Sequence, residues 1–422
     1  MPQMKESKSS YFKRIGKLFS FNYYTELIAL FSVTIISIVL GRVLDASVLG
    51  IYSVIFITAT FFRMTAESGY DYQILTEIPN NQSQVYNLML ESQKSKNLLL
   101  TLTLPFMIIY LHFSTSDLNY LLIIPYNYLS SLTYNFKTVA RALNLYNKIS
   151  KVESIYSILL LLIVIPLIYF FKNLSLILIA FILLEILKIL LLKNVVQNKE
   201  EIKIPTYAQL FKISINYSSI KNTFHKLILR KDYVLLNLNT VLQNRMAFFV
   251  LGLIGTSAEK GIYTAAYRFI TFARSIPWAL LSILLPDFSK QIKNGELVDL
   301  KIGILVAAFV GFIVSLPLFI LSDWLIEITF KFGVASDILK ILSWSFIAIM
   351  MNTVLESFLV AAGKNRTVNN TLLITILFTV LSSSILYKYF NIYGIAYSYL
   401  ISEIIIFILF FFKYLNSKKE NL

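Results

Sequence analysis

Apolar residues run through this chain in long blocks broken by short polar stretches. A helix that crosses a bilayer needs about 20 consecutive, mostly apolar residues. Blocks of that size recur near 22–41, 48–68, 97–113, 118–136, 153–171, 174–192, 232–254, 261–285, 302–321, 338–360, 368–387 and 393–412. Some are almost continuous Leu, Ile and Phe, as in Ile158–Ile168 and Ile404–Phe412. The first, second, seventh and eighth are different, because each carries many polar residues. The pattern predicts an all-α integral membrane protein of about 12 transmembrane helices.

Composition agrees. Of 422 residues, 57% are hydrophobic and 14% charged, against about 45–50% and 25% in soluble domains. Mean hydropathy is +0.70. Aromatic residues reach 15%, as suits a chain that meets lipid headgroups at many helix ends. There is no cysteine, which rules out disulfides, thiolate nucleophiles and Cys-based metal sites. Two histidines, His112 and His225, are too few for a histidine cage, so neither metal nor cofactor is expected. The N-terminus is basic, with no apolar core followed by a cleavage site, and reads as a cytoplasmic tail rather than a removed signal peptide.

The net charge of +15 raises the question of nucleic acid, and the placement of the charges answers it. If both termini are cytoplasmic, the cytoplasmic segments hold 27 Lys and Arg. The opposite loops hold five, one each: Arg42, Lys172, Lys260, Lys331 and Lys388. That alternation is the positive-inside signature, and the excess charge serves orientation and anionic membrane lipids. The longest connection, 193–231, carries eight of the cytoplasmic cations. It reads as a basic linker, partly an amphipathic helix on the membrane surface.

A repeat spans half the chain. Shifted by 211 residues, 39–63 lies over 250–274 with 9 of 25 positions identical, among them Gly41/Gly252, Gly50/Gly261, Tyr52/Tyr263, Thr60/Thr271 and Arg63/Arg274. Shared apolar composition does not easily place Gly, Tyr and Arg in register. An offset of six helices keeps the orientation, so the repeats are parallel, and transporters built that way bind substrate between their halves. The expected organisation is an N-terminal lobe over 1–192, a linker over 193–231 and a C-terminal lobe over 232–422. Helices one, two, seven and eight would border a central cavity.

The residues of this repeat resemble a known family. Arg42-x-Leu44 with Gly50-Ile51-Tyr52, then Gly69-Tyr70-Asp71-Tyr72, resembles the opening of polysaccharide repeat-unit (O-antigen, Wzx-type) flippases. Leu251-Gly252…Gly261-Ile262-Tyr263-Thr264-Ala265-Ala266-Tyr267-Arg268 resembles their seventh-to-eighth helix segment, and Tyr393-Gly394-Ile395-Ala396 with Ile401-Ser402-Glu403 the start of their last helix. The resemblance runs in register along essentially the whole chain, although each motif alone is weak. It implies membership of the multidrug/oligosaccharidyl-lipid/polysaccharide exporter superfamily. It further implies movement of undecaprenyl-diphosphate-linked oligosaccharide across the bacterial inner membrane, for O-antigen of lipopolysaccharide, capsule or another surface polysaccharide. A polysaccharide polymerase and a chain-length regulator follow as partners only from the resemblance. The chain departs from the pattern at Ala247, where many relatives carry an acid, which puts any role of that acid in doubt.

Six cations remain inside spans: Arg63, Lys188, Arg245, Arg268, Arg274 and Lys340. A charge at a helix centre costs about 2.5–3.5 kcal/mol even on lenient scales. Lys188 is expected to pair with Glu185, and Lys340 to snorkel from a helix end. The four arginines fall in helices two, seven and eight. Tyr263, Tyr267, Thr271 and Arg274 share one helical stripe, matched by Tyr52, Phe56, Thr60 and Arg63. Guanidinium forks suit a diphosphate, and tyrosines offer flat faces to sugar rings. The substrate-binding candidates are therefore Arg63, Arg245, Arg268, Arg274, Tyr52, Tyr263 and Tyr267. The alternative is that these arginines pair with internal acids such as Glu67 or hold helices together. Arg42 either guards the outer mouth or anchors its helix at the interface. Among Glu26, Glu153, Glu185, Glu356 and Glu403, the candidates for ion coupling are Glu356 and then Glu403, with salt-bridging the plainer role. Pro105, Pro125, Pro166, Pro277 and Pro317 lie inside spans and are expected to kink helices.

No GxxxxGK[ST], GxSxG or HExxH occurs, so no enzyme activity is expected and ATP hydrolysis has no site. Two rivals stay open. A multidrug or cation antiporter on the same fold would favour acids where this chain has arginines. A membrane-embedded polymerase or glycosyltransferase would need a larger outer loop than 322–337.

Overall fold

The computed structural model describes residues 8–67, 69–79, 81–115, 118–198, 202–212, 217–229, 231–294 and 300–420. Among the described residues there are helices and no strands. In lipid, backbone N–H and C=O groups find no water, and a helix satisfies them within one segment. The first half comprises α1 (Lys8–Val43), α2 (Ala46–Glu67), α3 (Tyr70–Glu77), α4 (Val85–Thr115), α5 (Ile123–Ala142), α6 (Tyr146–Phe171) and α7 (Leu174–Gln197). Two short helices follow, α8 (Tyr207–Phe211) and α9 (Tyr217–Leu229). The second half comprises α10 (Lys231–Ile254), α11 (Ser257–Ala273), α12 (Ser275–Lys293), α13 (Lys301–Ile320), α14 (Ser322–Thr329), α15 (Gly333–Ala361), α16 (Asn365–Phe390) and α17 (Ile392–Glu420).

Nine helices among the described residues are long and apolar enough to cross a membrane, and a shorter apolar stretch covers Leu27–Val43 of α1. The more polar α5 and the pair α11–α12 fall on the remaining two expected spans. The structure corrects the eighth, which is two helices meeting at Arg274 rather than one. Pro277 gives the reason: it has no N–H to return to the carbonyl of Ala273, and it suits the first turn of a new helix. Pro125 likewise lies in the first turn of α5. Pro105, Pro166 and Pro317 do lie inside α4, α6 and α13. Large apolar side chains such as Phe106, Phe113, Leu162, Phe170, Ile302 and Leu305 are exposed, as lipid-facing positions are.

Short turns end the helices on local chemistry. Lys172 takes a left-handed conformation after α6, and Asn173 caps α7 by accepting from the N–H of Ser175 at 2.8 Å. Thr256 and Glu259 form a reciprocal capping box at the start of α11.

The chain divides into two compact units: Met1–Ile36, Tyr70–Leu98 and Pro125–Ser214 form one, and Ser37–Gly69, Leu99–Ile124 and Ile215–Leu422 the other. The lobes suggested by the repeat are a separate division of the chain. Within the first unit, α5, α6 and α7 bury a three-membered charge cluster. Glu153 of α6 stands 3.1 Å from Lys137 Nζ and 2.9 Å from Lys188 Nζ. The partner seen for Lys188 is thus Glu153 of the neighbouring helix rather than the expected Glu185, whose carboxylate accepts from Tyr156 OH at 3.2 Å. The reason is spatial: Glu153 faces both ammonium groups at once. Asn97 donates to the Leu210 carbonyl at 2.8 Å, which ties α8 of the basic segment to α4.

Removing one member of a buried ion cluster leaves the others uncompensated, at about 3–5 kcal/mol. Glu153→Leu is therefore expected to lower the thermal midpoint and the membrane level of the protein sharply, measured by fluorescence-detected size exclusion on heated extracts. Glu77→Leu, outside the cluster, serves as the control.

Within the second unit, α15 packs between α13 and α17, and α16 packs on α10 and α17. Serine and threonine hydroxyls link α16 to α17, with Thr379 and Ser402 2.7 Å apart and Ser382 and Ser398 2.6 Å apart. The approach of α2 to α11 is closer still. A Cβ on Gly50 would strike the carbonyl oxygen of Ser257, and one on Gly261 the carbonyl oxygen of Ala46. Ala46-xxx-Gly50 and Ser257-xxx-Gly261 are the same positions of the two repeats. The repeats therefore meet each other at a small-xxx-small crossing, a pattern that lets helix backbones approach.

Candidate anion-binding site

Seven residues singled out in the sequence, Arg63, Arg245, Arg268, Arg274, Tyr52, Tyr263 and Tyr267, all belong to the second unit, on α2, α10, α11 and the α11–α12 junction. Arg245 lies within electrostatic range of Arg268, Arg63 and Arg274. Tyr52, on α2, lies within range of Arg268. Four guanidinium groups thus gather in one region of a membrane-embedded unit, with the tyrosines among them.

The helix break sets Arg274 in place. Its backbone N–H closes the last turn of α11 on the Ile270 carbonyl at 2.9 Å. Its guanidinium donates to Asn244 Oδ1, to Tyr399 OH and to Glu403 Oε1, the last at 2.8 Å. Glu403 Oε2 accepts from Asn352 Nδ2 at 3.1 Å. Tyr267 donates to the Asn244 carbonyl at 2.7 Å. Its ring stacks on Tyr263 at 5.8 Å and meets Tyr399 edge-on at 5.7 Å. The Tyr52 ring packs against Phe56 at 4.6 Å.

The four arginines are not equivalent. Arg63 pairs with Glu67, one turn along α2, and Arg274 with Glu403. These two follow the plainer sequence expectation of internal pairing. Arg245 and Arg268 have no hydrogen bond and no ion pair among the described residues, and the Nε of Arg268 is buried without a partner. Tyr263 is 1% exposed and its hydroxyl also has no partner. A half-buried cation in a membrane span without a counter-ion is costly. Two such arginines within electrostatic range of each other form a place that an anion would stabilise.

Of the two candidate coupling acids, Glu403 is tied to Arg274 and Asn352. Glu356, on α15, has no ion pair among the described residues and lies within electrostatic range of Glu403 and Arg274. The side chain of Glu26 lies outside the described residues. Arg42 donates to the Glu327 carbonyl at 3.2 Å, and Lys340 pairs with Asp323 at 2.9 Å. No group of three His, Cys, Asp or Glu suited to a metal occurs among the described residues. Asn244, Asn352 and Tyr399 were not legible as site residues. Tyr399 and Glu403 do lie four apart on one stripe of the last helix, the one signal that marked them.

No protein-family model and no curated protein sequence matches this chain. Solved structures do match in fold. An inward-facing multidrug resistance MATE family transporter of the MOP superfamily aligns at TM-score 0.69 with 10% identity, over 94% of this chain and 95% of that one. The lipid II flippase MurJ, in an inward closed conformation, aligns at TM-score 0.68 with 15% identity, over 94% and 87%. A MOP superfamily transporter from Pyrococcus furiosus, described as having a binding pocket of reversed polarity, aligns at TM-score 0.63 with 12% identity, over 96% of both chains. The chain has the fold of MOP superfamily transporters, and these neighbours are transporters and a flippase.

Proposed function

We propose that this protein is a flippase of the bacterial inner membrane that carries undecaprenyl-diphosphate-linked oligosaccharide repeat units from the cytoplasmic to the periplasmic leaflet by alternating access. Both termini are cytoplasmic in this reading, and the product feeds O-antigen, capsule or another surface polysaccharide. The observation that carries it is the pair of guanidinium groups, Arg245 and Arg268, that have no ion pair among the described residues and are grouped with Arg63 and Arg274. A guanidinium fork matches phosphate oxygens and keeps its charge when desolvated, so a lipid diphosphate supplies the missing counter-charge. Of the three tyrosines, the half-buried Tyr267 is the one able to meet a sugar, while Tyr52 and Tyr263 are buried behind it. Glu356 is the group assigned to ion coupling, because it carries no pairing cation among the described residues. The chain performs no chemistry on its substrate, and a polymerase and chain-length regulator would act on the product downstream.

The fold also serves drug exporters, but a site for cationic drugs needs a carboxylate facing the ligand. Here the cluster gathers four guanidiniums, and Glu356 is the one acid assigned a coupling role.

The test is complementation of a strain lacking its repeat-unit flippase, with surface glycan and lipid-linked precursor both measured. Restored glycan display with clearance of the precursor is the expected result. Unrelieved precursor accumulation at a normal membrane level of the protein, across several glycan backgrounds, would sink the proposal.

A further inference from the structure

Arg63 and Arg274 hold the same position in the two repeats, yet their acids come from different places. Arg63 finds Glu67 on its own helix. Arg274 reaches Glu403, 129 residues further along, on α17. The repeat demands neither contact: the counterpart of Glu67 is Trp278, and the counterpart of Glu403 is Leu192. Glu403 is therefore an addition peculiar to the second half.

Its setting is unusual in three ways. Arg274 stands at the break between α11 and α12, where the side chain is not fixed by a continuous helix. The Nε of Arg274 is buried without a partner, so its donors are not used up. The uncompensated Arg245 lies within electrostatic range of it. An anion drawn in by Arg245 and Arg268 therefore arrives beside a third guanidinium whose ionic partner among the described residues is the carboxylate of Glu403. Phosphate oxygens offer that guanidinium the same bidentate pairing. Glu403, once displaced, keeps the Asn352 amide on its other oxygen at 3.1 Å, which offsets part of the loss of its cation.

We propose that Glu403 is an internal stand-in for the substrate's phosphate: it holds Arg274 in the empty protein, and the lipid diphosphate displaces it, so that Arg274 joins Arg245 and Arg268 on the ligand. The proposal rests on the anion-binding reading of the cluster. Glu403 is then a positioning residue that competes with substrate. It weakens binding to a level from which the product can leave, as any contact that must be broken before binding lowers apparent affinity.

Binding of undecaprenyl diphosphate to the full-length protein in phosphatidylcholine nanodiscs tests this, with undecaprenol as the uncharged control. Glu403→Gln keeps the size and the Asn352 contact but cannot hold an ion pair, and is expected to bind about tenfold more tightly than wild type. Adding Arg274→Gln to that variant should remove the gain, which a merely structural bridge would not predict. If Glu403→Gln is not recovered from membranes, Glu403→Asp, one methylene too short for the 2.8 Å contact, should also bind more tightly. Unchanged or weaker binding in the Glu403 variants, while Arg245→Ala abolishes binding, overturns the exchange and leaves the site reading intact. Wild-type binding no stronger than to undecaprenol, and indifferent to Arg245→Ala, overturns both.

Discussion

Arg245→Met is expected to abolish glycan display and, at the same time, to raise the thermal midpoint of the protein. Arg245 is a guanidinium in a membrane span with no hydrogen-bond or ion-pair partner among the described residues, and three further arginines act on it. An unpaired charge at a helix centre costs about 2.5–3.5 kcal/mol on the lenient scale, and replacing it with an apolar side chain of similar length recovers part of that. A gain of at least about 2 °C is expected, read by heating detergent extracts. Arg268→Met should behave the same way, since its Nε is also buried without a partner. Arg274→Met should move in the opposite direction, because it strips Glu403 of its cation and leaves a buried carboxylate unpaired. Loss of both function and stability in all three arginine variants would mean that the cluster is structural glue.

The crossing of α2 and α11 leads to the second large effect. Gly50→Ala and Gly261→Ala each push a methyl group into backbone carbonyl, of Ser257 and Ala46 respectively. Backbone cannot turn aside as a flexible side chain can, so each substitution is expected to cost about 1–3 kcal/mol. The double variant should cost less than the two combined, because both relieve and spoil the same contact. Under the proposed orientation these helix starts lie at the periplasmic side. A protein in which these helices cannot approach should transport poorly. Gly303→Ala is the control, since its Cβ would meet Val354 Cγ1 at an ordinary 3.6 Å. Equal behaviour of the control and the two crossing variants would remove any special role for the crossing.

Most of the fold could be read from the chain because lipid enforces it. Apolar runs such as Ile158–Ile168 lie in α6, and Ile404–Phe412 in α17. The break at Arg274 was hidden because a composition window averages over Pro277, while the hydrogen bond it removes is a local event. Lys188 looked paired with Glu185 because helical spacing favours neighbours three and four apart. The fold instead brings Glu153 between Lys137 and Lys188, and contacts between helices leave no period in one helix's sequence. The same limit applies at the site. All four arginines stood out as charges in spans, but the pairing of Arg274, which Arg245 and Arg268 lack among the described residues, depends on where Glu403, Asn244 and Tyr399 fold to. The repeat marked Gly50 and Gly261 as equivalent positions. Their meeting each other is a tertiary fact.

The measurement that bears most directly on the proposed activity is flipping itself, in proteoliposomes holding a labelled undecaprenyl-diphosphate-linked oligosaccharide. A glycan-cleaving enzyme added outside reports how much label faces outward over time. Wild-type protein should make nearly all of the label accessible, against about half in protein-free vesicles, and Arg245→Met should match the protein-free vesicles. Wild-type vesicles that keep half of their label protected, or Arg245→Met vesicles that lose it as fast as wild type, would contradict the proposed role of this arginine cluster in moving a lipid-linked glycan.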